Sequence, residues 1–265
     1  MLPVSRIYNL GNRKLGIVLS LRSRASKLKH ATRERHQHFK EYQTYRKYRQ
    51  RAFSGSQELV DLHFQTWSDP VHVNRPGFEA ALLGCKDEPL RILETGTSAW
   101  GTDSTRLWDS YVSTFGGEFW SVDLSAKPSK RLANQTGSRS HLIVADSVTF
   151  IRESSHKYGL SNLDICYLDS WDLDWKDPTP AAIHGLAEWE AVLPILGKGA
   201  RVLVDDTPIN LSWVPEDKRE LAVRYRDVNG FLPGKGALIL RQISEQGLPF
   251  KILWGGYNVV LELEN

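Results

Sequence analysis

The residues of this chain that could do chemistry are carboxylates set at the ends of short apolar runs. Glu94 closes RILE, Asp123 closes FWSVD, Asp169 closes DICYLD and Asp205-Asp206 close RVLVDD, while Asp146 follows HLIVA. After the first run the chain passes through Gly96, Thr97 and Ser98 to Gly101, then enters a helix-like pattern from about Thr102. A strand that breaks into a small-residue loop before a helix brings backbone N–H groups and a helix N-terminus to the strand's carboxyl end, where open α/β sheets bind ligands. In a parallel sheet all such ends lie on one edge, so the acids converge on one cleft beside that cradle. Each acid taken singly can equally be a helix cap. Together they point to a cofactor site.

The elements that must position them follow from the apolar rhythm. Strands are expected over 91–95, 118–123, 140–145, 163–169 and 200–205, with helices over 102–115, 129–135, 147–158 and 181–196. That alternation predicts a parallel sheet in a doubly wound α/β fold. Ahead of it, 55–69 reads as a short helix ended by Pro70, and Asn74 as the cap of another, with Pro76 in its first turn. A helix over 236–246 leads into strands over 250–254 and 257–264, joined by Gly255-Gly256, which must pair antiparallel. The long connection 207–236 reads as a lid whose Trp213, Tyr225, Phe231, Arg224 and Arg226 suit a sugar or a partly anionic acceptor. Within it, Pro233-Gly234-Lys235-Gly236 lacks the spacing of a phosphate-binding loop and reads as a turn. Trp171 and Trp175 are equally suited to sugar stacking and to core packing.

Charge divides the chain. Residues 1–52 carry 14 Lys and Arg against Glu34 and Glu41, so a basic N-terminal arm (1–53) precedes an acidic body (54–265). No Pro or Gly interrupts 22–51, and Leu28, Ala31, Phe39, Tyr42, Tyr45 and Tyr48 recur at helical spacing. Such an arm packs on the body, joins a second copy in a homo-oligomer, or contacts an anionic membrane surface, glycolipid or nucleic acid. Nucleic acid is the least favoured partner, because no groove-reading motif accompanies the charge. Cys85 and Cys166 sit beside apolar residues and read as reduced core thiols, with a disulfide as the lesser alternative. The apolar run GIVLSL is far too short to span a bilayer, and no signal peptide is apparent. The expectation is a cytoplasmic protein, with a peripheral membrane location left open.

Residues 91–265 resemble the class I S-adenosylmethionine-dependent methyltransferases. The resemblance implies a Rossmann-like, seven-stranded, mostly parallel sheet with a C-terminal antiparallel strand. It implies that the loop from Glu94 through Gly96, Thr97 and Ser98 to Gly101 holds the methionine part of S-adenosyl-L-methionine. Asp123, in SVDLS, would grip the ribose hydroxyls, from both of which a carboxylate can accept. Asp146 and Ser147 would border the adenine. Ser98-Ala99-Trp100 departs from the usual glycine spacing and resembles a variant in small-molecule O-methyltransferases of the macrocin, mycinamicin and cephalosporin type. That branch implies Mg²⁺ or another divalent cation on Asp169, Asp205 and Asp206, lowering the pKa of an acceptor hydroxyl. The alternative is that Asp205 caps a turn and Asp169 only borders the cofactor. Methyl transfer also needs a base. Where those relatives place a His three residues after the first metal Asp, this chain has Asp172; His184, in AAIHGLAEWE, is the other candidate.

The expected function is therefore a metal-assisted O-methyltransferase acting on a small molecule or saccharide. A nucleic-acid methyltransferase using the basic arm is the alternative, although LDSW lacks the Pro-Pro-aromatic turn of base-amino methyltransferases. A non-catalytic cofactor-binding scaffold is another. A dinucleotide oxidoreductase is disfavoured by the lack of Gly-x-Gly-x-x-Gly.

Overall fold

The computed structural model describes residues 40–85, 87–98 and 101–264. The chain divides into two units, Met1–Arg51 and Ala52–Asn265. In the first, residues 40–49 form helix α1, on which the Tyr45 and Tyr48 rings stack at 6.0 Å. The remainder of the helix expected over 22–51, with Leu28, Ala31 and Phe39, lies outside the described residues, as do Ala99 and Trp100.

The second unit begins with α2 (Ser56–Trp67) and α3 (Arg75–Leu82). It continues through β1 (Leu90–Thr95), α4 (Ser104–Phe115), β2 (Gly117–Asp123), α5 (Ala126–Leu132), β3 (Ser140–Val144) and α6 (Ser147–Lys157). Then come β4 (Leu163–Leu168), α7 (Thr179–Val192), β5 (Leu196–Val204), α8 (Arg219–Asn229), α9 (Ala237–Gln246), β6 (Phe250–Gly255) and β7 (Val259–Leu263). The strands form one seven-stranded sheet in the order β3-β2-β1-β4-β5-β7-β6. The first five are parallel, and β7 runs antiparallel to both β5 and β6. The chain winds outward from β1 through β3, then resumes on the other side of β1 with β4. The carboxyl ends of β1 and β4 thus flank a topological switch point, where a crevice opens.

Central strands of a parallel sheet are covered on both faces and read as continuous apolar runs. Leu93 of β1, Cys166 and Leu168 of β4, and Val202 and Val204 of β5 share one buried cluster with Trp189 and Val192 of α7. Fully burying each large apolar side chain contributes about 1.5–3 kcal/mol, which makes the strand ends a firm platform for the loops beyond them.

Several elements differ from expectation. The helix expected over 129–135 starts earlier, at Ala126, because Ser125 caps it by accepting from the Lys127 N–H at 3.2 Å and Pro128 fits its first turn. The connection 207–236 is not an open lid: it holds a 3₁₀ turn (Glu216–Lys218) and α8. Only Ala222 of α8 is buried, because the helix is rich in charged residues and its few other apolar ones, though on one side, are half-covered or exposed. Residues 256–258, rather than two glycines alone, join β6 to β7. Both cysteines are free; Cys166 is buried, while Cys85 is only half-buried beyond α3. Among the described residues no helix is long and apolar enough to cross a membrane.

Candidate functional site

Glu94 is fully buried beneath the loop that follows β1. Its carboxyl accepts hydrogen bonds from the hydroxyls of Ser104, of Thr105 at 2.6 Å and of Ser121 at 2.6 Å. Burial pushes its pKa from an ordinary 4.5 up to about 8, against the opposing pull of those three donors. Glu94 thereby ties the start of α4 and the strand β2 to β1 rather than facing the cleft.

The loop above it is shaped residue by residue. Gly96 adopts φ 85°, and a Cβ there would lie 2.3 Å from the carbonyl oxygen of Asp169. Only glycine lets the ends of β1 and β4 come this close. The Thr97 N–H donates to Asp123 Oδ2 at 3.1 Å, and the Thr97 and Ser121 hydroxyls are 2.8 Å apart. Ser98, at φ 58°, donates its N–H to Thr105 Oγ1 at 2.6 Å and its hydroxyl to Asp103 at 2.5 Å. Asp103 in turn ion-pairs with the buried Arg106. Gly101 (φ 79°) closes the turn against His72. Gly96, Thr97, Ser98 and Asp123 line one wall of a cleft of about 980 Å³. Asp123 also accepts from the Ser125 N–H at 2.6 Å. An ionised carboxylate has about four acceptor positions, so capacity remains for hydroxyl donors in the cleft.

The opposite wall gathers Asp169, Asp205 and Asp206, one oxygen of each lying within 4.8 Å of the others. The Tyr167 hydroxyl donates to Asp169 Oδ2 at 2.9 Å and to Asp205 Oδ2 at 3.2 Å. The Asn74 amide donates to Asp205 Oδ1 at 2.7 Å. Asn74 therefore precedes α3 without capping it by its side chain, because that side chain is committed to the cleft. Lys235, 3% exposed, ion-pairs with Asp169 and, at 3.2 Å, with Asp206. Burial pushes Asp169 above the ordinary carboxylate range, with Lys235 opposing; burial and repulsion from Asp169 and Asp206 push Asp205 well above it. For Lys235 itself burial acts downward, but the surrounding carboxylates outweigh it and raise its pKa. Three carboxylates facing one ammonium remain an oxygen-only, electron-rich donor set, which fits a hard divalent cation.

Not every residue singled out from the sequence joins this cleft. Asp146 caps α6, accepting from the Thr149 N–H at 2.8 Å, and this hydrogen bonding holds its carboxyl below the ordinary value. The Ser147 hydroxyl lies 3.3 Å from His184 Nε2. His184 is 2.8 Å from the Ser170 hydroxyl through the same nitrogen and 3.4 Å from Glu188, whose hydrogen bond raises its pKa. That network braces the turn after β4 from behind, and neither Asp146, Ser147 nor His184 lines the cleft. Asp172 does line it and is exposed. Arg224 and Arg226 pair with Glu220 and Asp227 on α8 instead, and Tyr225 packs on Phe231. Trp213 and Arg219 line the cleft from this region.

Tyr167, Asn74, His72 and Lys235 are site residues the sequence reading passed over. Tyr167 alone carried a local signal, since a residue two before Asp169 on a strand shares its face. Asn74 and His72 arrive from a segment far from the sheet in sequence.

No protein-family model and no curated protein sequence matches the chain. Solved structures do. The MycE methyltransferase from the mycinamycin biosynthetic pathway, in complex with Mg, SAH and mycinamycin VI, aligns with a TM-score of 0.54 at 15% identity, over 79% of this chain and 54% of that one. The same enzyme with Mg and SAH aligns with a TM-score of 0.51 at 16% identity, over 81% and 56%. The chain spans about half the length of these proteins. Its fold resembles that of the MycE methyltransferase, an S-adenosylmethionine-dependent enzyme fold with a mostly parallel seven-stranded sheet.

Proposed function

We propose that the chain is an S-adenosylmethionine-dependent O-methyltransferase acting on a hydroxyl of a small molecule or saccharide, with a divalent cation, Mg²⁺ by preference, at its carboxylate wall. One observation carries this reading: a single cleft of about 980 Å³ has the Gly96–Ser98 loop and Asp123 on one side and Asp169, Asp205 and Asp206 on the other. Gly96, Thr97 and Ser98 would hold the methionine end of the cofactor and Asp123 its ribose. The cofactor supplies a methyl group made electrophilic by its sulfonium, and the cation on the three aspartates supplies Lewis acidity toward the acceptor hydroxyl.

The chain's own residues do the rest. Asp172, which lines the cleft, would accept the proton that leaves the acceptor. His184 is a positioning residue: through Ser170 it fixes the turn that carries Asp169 and Asp172. Trp213, whose ring packs edge-on against Trp254 at 5.9 Å, offers an aromatic surface for a sugar or macrocycle. MycE, seen with Mg, SAH and mycinamycin VI, supports both the cation and the class of acceptor.

The test is transfer of a labelled methyl group from S-adenosylmethionine to a panel of glycosides, catechols and macrolides, before and after chelation. Label should reach an oxygen of at least one acceptor, be lost with EDTA and return with Mg²⁺. Transfer that is indifferent to chelation would remove the cation from the reading.

A further inference from the structure

The sequence Pro233-Gly234-Lys235-Gly236 reads as a plain turn, yet the fold goes to some length to bury its lysine. A Cβ on Gly234 would lie 2.7 Å from the Asp206 carbonyl oxygen, and one on Gly236 would lie 2.8 Å from Thr207 Oγ1. A Cβ on Gly185, in the middle of α7, would lie 2.5 Å from the carbonyl oxygen of Lys235. Three glycines from two separate segments thus let this turn press between the end of β5 and α7. The Lys235 N–H donates to the Asp206 carbonyl at 3.0 Å, and the Gly236 N–H donates to Thr207 Oγ1 at 2.9 Å. The backbone is pinned, and the side chain is left to project its ammonium onto Asp169 and Asp206.

Isolated burial of an ammonium is strongly unfavourable, so it persists only where opposite charge receives it. Here that opposite charge is the same set of oxygens that would hold a divalent cation. Asp205 accepts from the neutral donors Asn74 and Tyr167, the latter shared with Asp169. Two cations cannot share the oxygens of Asp169 and Asp206 without strong mutual repulsion.

We propose that Lys235 is the resident cation of this cleft and that a divalent ion binds by displacing its ammonium from Asp169 and Asp206. The lysine then holds the carboxylate wall together in the metal-free protein and sets the threshold concentration at which metal enters. This rests on the reading of the three aspartates as a cation site.

The experiment is Mn²⁺ binding to the full chain, wild type and Lys235→Met, followed by electron paramagnetic resonance and calorimetry. With the competing charge removed, Lys235→Met should bind Mn²⁺ about tenfold or more tightly than wild type. Equal or weaker binding by the variant, with wild type binding measurably, overturns the displacement and leaves the cation site standing. Absence of Mn²⁺ binding by either protein at millimolar concentration overturns the cation site itself, and the displacement with it. A second measurement needs no variant: amine acylation of wild-type Lys235, mapped by peptide mass spectrometry, should be blocked without metal and become rapid with saturating Mn²⁺. Unchanged acylation refutes the displacement.

Discussion

Glu94→Gln tests whether the cofactor loop stands on a buried carboxyl that resists ionisation. Burial raises the pKa of Glu94 from 4.5 to about 8. A raised acid binds its proton more tightly folded than unfolded, so between those values the native state holds more protons and stability falls as pH rises. Integrated from pH 5.5 to 8.5, the shift corresponds to a loss of about 2–3 kcal/mol. Gln keeps the size and an acceptor oxygen but cannot ionise. Whatever the change costs at any single pH, the difference between the two proteins should therefore move by about 2–3 kcal/mol across that range, in favour of the variant at high pH. Urea denaturation followed by tryptophan fluorescence at both pH values reads this directly. Parallel profiles for wild type and variant would refute the buried-acid account of the loop.

Gly96→Ala should lower stability by about 2–4 kcal/mol, since it combines a left-handed backbone with a clash against the Asp169 carbonyl; the shift in urea midpoint measures it. Asp123→Ala should weaken S-adenosylhomocysteine binding about 10- to 100-fold, the loss expected for charged hydrogen bonds to the ribose, by calorimetry. Asp172→Asn should lower kcat about 100-fold or more with little change in the cofactor KM. His184→Gln should stay within about tenfold of wild-type turnover, because His184 acts through Ser170 and not on the acceptor.

What could be read in the sequence was whatever depended on neighbours along the chain. The apolar runs located β1, β2, β4 and β5 because central parallel strands are apolar on both faces. The acids at their ends then came together as expected, at least for Asp123, Asp169, Asp205 and Asp206. Features that depend on distant contacts were not legible. Asn74 looks like a cap until its amide is seen on Asp205, 131 residues away in sequence. Lys235 looks like a turn residue until α7 supplies the Gly185 gap that admits it. Helix α8 is hard to tell from a loop because it is mostly charged and buries only Ala222. Glu94 and His184 carry residue types common in working sites, but their side chains bond to hydroxyls of Ser104, Thr105, Ser121 and Ser170 and do not line the cleft.

Calorimetric titration of the metal-free chain with S-adenosylhomocysteine reads the cofactor site itself. The cleft described here predicts one saturable site with a Kd below about 100 µM, weakened by Asp123→Ala. Absence of binding to a folded protein would contradict it.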